Sequence, residues 1–228
     1  MSWLRGRSGS ARWRWLVAAA AVVVAAGAVG LALWPGAAAL LNVTAARLTT
    51  QTFTDVVGTA TLRPNADRDA GTDNDWDNQS GQRCNQSAVN CYTSLRDGSS
   101  ATYITTGNNP NNRKAEFELD NAPSDVPGSG TPVVLVKVSF NAQKTGTGSR
   151  TISASVAVNR SDGTNVVTAS DSNISSTGET VTAEASTSLS KAQVDGLHVV
   201  VTANTAGGGS GNNQLRVTDI TVDITYLK

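Results

Sequence analysis

Thr151-Ile152-Ser153-Ala154-Ser155-Val156-Ala157-Val158 (TISASVAV) decides the fold. In an extended chain successive side chains point to opposite faces. Ile152, Ala154, Val156 and Val158 therefore share one face, and Thr151, Ser153 and Ser155 share the other. That is the pattern of a strand with one side in a core and one side in water. The same period recurs on both sides of this stretch. Lys114 to Leu119 sets Ala115, Phe117 and Leu119 against Lys114, Glu116 and Glu118. Pro132 to Phe140 places Val134, Val136, Val138 and Phe140 on one face. Leu197 to Ala203 turns Leu197, Val199, Val201 and Ala203 inward and leaves His198 on the solvent face. Shorter β-rich runs occupy Val56 to Leu62 (stopped by Pro64), Thr102 to Thr106, Val166 to Ala169 and Val181 to Ala185.

The last strand, Gln214 to Leu227, changes parity. Leu215 and Val217 are odd-numbered, whereas Ile220, Val222, Ile224 and Tyr226 are even-numbered. A slip of one residue flips every side chain, so the run requires a bulge near Thr218-Asp219. Turn chemistry separates the strands: Asn108-Asn109-Pro110, Pro127-Gly128-Ser129-Gly130, Gly146-Thr147-Gly148, Asp162-Gly163 and Gly207 to Gly211. Ser190 to Asp195 reads as one helical turn capped by Gly196. The crossover helices a parallel sheet needs are absent. The expected fold is all-β, a two-sheet antiparallel β-sandwich over residues 57–228, preceded by one N-terminal hydrophobic helix.

That helix comes from a different kind of sequence. Arg5, Arg7, Arg12 and Arg14 open the chain, and no acidic residue occurs before Asp55. Leu16 to Trp34 is an apolar run of 19 residues with no charge. At about 1.5 Å per residue it just spans a hydrocarbon core. The arginines stay cytoplasmic by the positive-inside bias, which carries the rest of the chain outward. Residues 1–39 read either as an uncleaved signal anchor, which the length fits, or as a signal peptide cleaved near Ala39 after Ala37-Ala38-Ala39. Residues 40–56 are a linker or a first edge strand. Both readings place the domain outside the cytoplasm, in contact with the membrane or released from it.

The rest of the composition agrees. Charged residues make up 16% of the chain, against about 25% in ordinary soluble domains. Beyond residue 39 there are 14 Lys/Arg against 18 Asp/Glu. A mildly acidic domain lacks the basic footprint that neutralises phosphates, which argues against nucleic acid as a partner. Cys84 and Cys91, with six residues between them, form an even pair in an exported chain and are expected to be a disulfide. Zinc would need two further N or S ligands, and the only histidine is His198.

Thr61-Leu62-Arg63-Pro64-Asn65-Ala66-Asp67, then Trp76, then Leu95-Arg96-Asp97-Gly98, then Tyr103-Ile104 follow in a familiar order. With the closing run Arg216 to Tyr226 (RVTDITVDITY), they resemble a jelly-roll-like domain that recurs in bacterial surface proteins and phage structural proteins. The resemblance covers roughly 57–228 and implies a sandwich fold. It implies no activity, and the CNQSAVNC segment departs from its pattern.

Site chemistry is sparse. Asp73, Asp75 and Asp77 alternate, with Asp67, Asp69, Asn74 and Asn78 nearby, and could supply oxygens to Ca²⁺. The glycine and the terminal glutamate of an EF-hand loop are missing; Asx-turns in a solvated loop are the other reading. Trp76 is either a stacking platform for a sugar ring or a plug between the sheets. His198, on a solvent face between Leu197 and Val199, lacks the sequence context of a triad base. No nucleophile-elbow, phosphate-loop or dinucleotide fingerprint occurs. The expected role is a non-catalytic extracytoplasmic module of the bacterial cell envelope, structural or adhesive, whose partner is a glycan or an envelope protein. A carbohydrate-binding lectin-like module and a divergent hydrolase accessory domain are the alternatives.

Overall fold

The computed structural model describes residues 57–68, 76–84, 89–206 and 209–228. The hydrophobic segment 16–34, the cleavage region near Ala39, the linker 40–56 and the acidic residues Asp69, Asp73 and Asp75 lie outside them.

Among the described residues, eleven strands are arranged in two antiparallel sheets. The first sheet runs β3 (Trp76–Asn78), β4 (Ile104–Thr106), β11 (Asn213–Leu227), β6 (Val133–Gly146), β9 (Glu179–Leu189), and β1 (Val57–Leu62) also pairs with β11. The second runs β2 (Pro64–Arg68), β5 (Arg113–Leu119), β10 (His198–Ala206), β7 (Thr151–Asn159), β8 (Asn165–Asp171). β1 and β4 share one flank of β11, β4 beside Arg216 and Val217 and β1 beside Val222 to Leu227.

The core lies between the sheets and follows from the alternation. Ile152, Ala154, Val156 and Val158 of β7 and Val199, Val201 and Ala203 of β10 are buried, as are Ala115, Phe117 and Leu119 of β5. They face Val136, Val138, Phe140 and Ala142 of β6 and Leu215, Val217, Ile220, Val222, Ile224 and Tyr226 of β11. The parity change in β11 is a register shift between Val217 and Asp219, opposite Ala142 and Asn141. α1 (Lys191–Asp195) is the expected helical turn. Ser190 caps it, accepting from the Gln193 amide, and Gln193 returns a side-chain bond to the Ser190 amide, the reciprocal pairing of a capping box.

Three details differ from the sequence reading. Val133, not Val134, enters the core, because β6 carries an irregularity against β9 between Val133 and Leu135 that resets its parity. Pro64 stops the first strand, which ends at Leu62 as expected, but not the β-structure as a whole. It closes the chain's run in the first sheet and opens β2 on the edge of the second, where its missing N–H costs no ladder bond. The segment after the disulfide loop forms a 3₁₀ turn, Cys91–Leu95.

Candidate functional site

Four motif residues of the resemblance meet at one corner, where Arg63 donates to the Arg96 carbonyl and to Asp219 and Arg96 donates to the Pro64 carbonyl. Asp67, on β2, accepts the backbone N–H groups of Cys91 and Tyr92, both at 2.7 Å. It thereby satisfies donors at the start of the 3₁₀ turn. Burial, the larger effect, holds its carboxyl above the usual range, and the two N–H bonds act in the opposite direction. Within that frame Cys84 and Cys91 form a disulfide, with their Cα atoms 5.4 Å apart. Both are buried.

Trp76 is fully buried. Of the two readings of this residue, full burial fits the plug between the sheets, since stacking on a sugar needs an exposed ring face. Its indole N–H has no partner among the described residues. Asp77 sits beside Arg83 at 3.3 Å. Asn78 accepts the amides of Ser80 and Gln82, an Asx-type turn. Of the proposed Ca²⁺ ligands only Asp77 is described, and no cluster of three metal-ligating side chains occurs among the described residues.

His198 is also placed differently. Its parity puts it on the outer face of β10, yet it is 5% exposed. Its Nε2 lies 2.9 Å from Glu116 on β5, and Glu116 lies 3.5 Å from Arg68 on β2. These long neighbours fill the outer face around the ring. Burial, the leading cause, holds the imidazole below its ordinary pKa; Arg68 adds to this and Glu116 opposes it. The ring's Nδ1 has no hydrogen-bond partner among the described residues.

Among the described residues, each sheet carries an open cleft on its outer face. On the second sheet, Ser153 and Ser155 of β7, Thr202 and Asn204 of β10, and Ser170 and Asp171 of β8 line a cleft of about 340 Å³. On the first sheet a cleft of about 380 Å³ lies beside the β11 bulge, between Asn141 and Gln143 of β6, Glu179 of β9, Arg216 and Thr218 of β11, and Ser100. The bulge turns two consecutive residues, Thr218 and Asp219, away from the core. Thr218 lines the cleft, and Asp219 accepts from Arg63 at 2.7 Å. Arg216 lies over Tyr103, its guanidinium carbon 4.3 Å from the ring centroid. Sequence reasoning missed this cleft. The bulge was its one visible signal.

No protein-family model matches the sequence, and no curated protein matches it. Among solved structures, the chain is similar to the tripod from the baseplate of bacteriophage Tuc2009, with 12% identity and a TM-score of 0.36, over 76% of this chain and 64% of that one. It is similar to TmCBM61, solved in complex with β-1,4-galactotriose, with 10% identity and a TM-score of 0.31, over 73% of this chain and 87% of that one. A CBM4 structure matches with 15% identity and a TM-score of 0.28, over 71% and 94%.

Proposed function

We propose that this chain is a non-catalytic β-sandwich module that works outside the cytoplasm, in the bacterial cell envelope, in a structural or adhesive role. The observation that carries the reading is the Cys84–Cys91 disulfide. Such bonds form and persist in oxidising compartments and are rare where thiols are kept reduced. The uncharged apolar run Leu16 to Trp34 behind four arginines supplies the export route. It either anchors the chain in the membrane or is removed near Ala39. The mixed, mildly acidic surface favours a glycan or an envelope protein over nucleic acid as partner.

Protease shaving of intact cells that make the full chain, followed by non-reducing peptide mapping, tests this. Export predicts loss of peptides from 57–228 and recovery of a Cys84–Cys91-linked peptide. Survival of those peptides in intact cells, with both thiols free, would overturn it. Mass spectrometry of the native N-terminus distinguishes anchor from cleaved signal.

A further inference from the structure

We propose that the cleft beside the β11 bulge binds a uronate, a sugar ring that carries a carboxylate. Three observations converge there. First, Arg216 has no ion pair or side-chain hydrogen bond among the described residues, and its Nε is buried without a partner. The side chain lines the cleft, and its charge is not paired with a carboxylate of the described residues. Second, the cation–π contact with Tyr103 at 4.3 Å restrains the guanidinium. A fixed guanidinium fork matches the two oxygens of a carboxylate, and little rotamer freedom is left to lose on binding. Third, the remaining wall is made of groups that exchange hydrogen bonds with hydroxyls: Asn141 and Gln143 amides, Ser100 and Thr218 hydroxyls, and the Glu179 carboxylate.

These groups are organised before any ligand arrives. Gln143 Nε2 donates to the Ser176 carbonyl at 2.8 Å. Asn141 Oδ1 accepts from Thr180 at 2.6 Å. Glu179 accepts the Ser175 amide at 2.7 Å. The cleft, about 380 Å³, falls in the range of small-ligand pockets. An acidic peptide is disfavoured, because the wall offers no apolar recess for its side chains; Ala142 is the one apolar residue in it.

The test is titration of the full-length chain, in detergent solution, with tetragalacturonate, its methyl ester, acetate and a tetra-aspartate peptide, read by calorimetry and by the Arg216 Nε–H resonance. Saturable binding of tetragalacturonate is expected, with the ester at least roughly tenfold weaker because the charge-assisted bonds are lost. Arg216→Gln should lose about the same factor, and Thr202→Ala, in the cleft of the other sheet, should change nothing. The Arg216 resonance in the unaltered chain should shift with the acid and not with the ester, which keeps the test valid if Arg216→Gln does not fold. Equal affinity for acid and ester would overturn the proposal, as would acetate binding as tightly as the tetramer. So would no saturation at millimolar ligand, or an acidic peptide binding at Arg216 more tightly than the sugar.

Discussion

Arg63 and Asp219 tie the corner where the chain leaves the first sheet to the bulge of the closing strand: the guanidinium reaches the carboxylate at 2.7 Å and also donates to the Arg96 carbonyl at 3.1 Å. The corner is fastened on its other side too. The Asp120 carboxylate accepts the Arg63 amide at 3.1 Å, and the Asp120 amide donates to the Arg63 carbonyl at 2.9 Å. Arg96 donates to the Pro64 carbonyl at 3.0 Å. The Leu-Arg-Pro and Leu-Arg-Asp motifs of the sequence are thus two halves of one clasp.

Removing one half should loosen both sheets. Exposed ion pairs contribute about 0–1 kcal/mol, but this pair is half-buried and shares its guanidinium with a carbonyl. Arg63→Met should cost about 1–2 kcal/mol. Denaturant unfolding in a double-mutant cycle with Asp219→Asn measures it. A coupling energy near zero would show that the pair adds nothing to the corner.

Asp67 supports the disulfide segment from below. Asp67→Ala leaves the amides of Cys91 and Tyr92 without their acceptor, and should destabilise the domain by about 1–3 kcal/mol. Asp67→Asn keeps one acceptor oxygen and should recover part of this. Thermal unfolding of the two variants gives the order; an alanine variant as stable as the parent would remove the capping role.

The disulfide closes a short loop, so its stabilisation belongs near the low end of the chain-entropy scale, about 2–3 kcal/mol. Cys84→Ala/Cys91→Ala should lower the unfolding free energy by that amount. Reductant should do the same to the parent and nothing to the double variant. A reductant effect on the double variant would place the sensitivity elsewhere.

Strands with one wet face were legible because period two survives in β5, β7, β10 and both halves of β11, and the parity break located the bulge. The helical turn at Ser190 was legible because its cap is local, with Ser190 and Gln193 three residues apart. What escaped depends on partners distant in sequence. The 3₁₀ turn at Cys91 is held by Asp67. β2 and β3, of five and three residues, are too short to show a period. Asn213 is fully buried, its side chain bonded to the Gly148 amide at 2.8 Å and the Arg150 carbonyl at 2.7 Å, and no motif announces it. The glycines around it have a reason: Gly146 adopts φ +107, and a Cβ there would strike the Asn212 carbonyl. The candidate site was half legible. The acidic residue Asp67 proved structural, and the cleft at Arg216 needed the pairing of β6 with β11 to appear.

His198 makes the domain's stability depend on pH, with a definite sign. Its folded pKa lies below the ordinary value, chiefly through burial and secondarily through Arg68, with Glu116 and Glu118 acting against the shift. The unfolded chain therefore takes up the proton first as pH falls below about 6.5. Where the unfolded state binds more protons, stability rises with pH. The contribution is thus complete above that value and is lost as pH drops towards the folded pKa. Denaturant unfolding between about pH 7.5 and pH 5.5, the window in which imidazole titrates, should show stability declining on acidification. His198→Gln should flatten the decline, and Glu116→Gln should steepen it, because the carboxylate that favours the charged ring is gone. A parent profile that rises on acidification over this window would mean that the Glu116 pairing outweighs burial, reversing the balance at the ring.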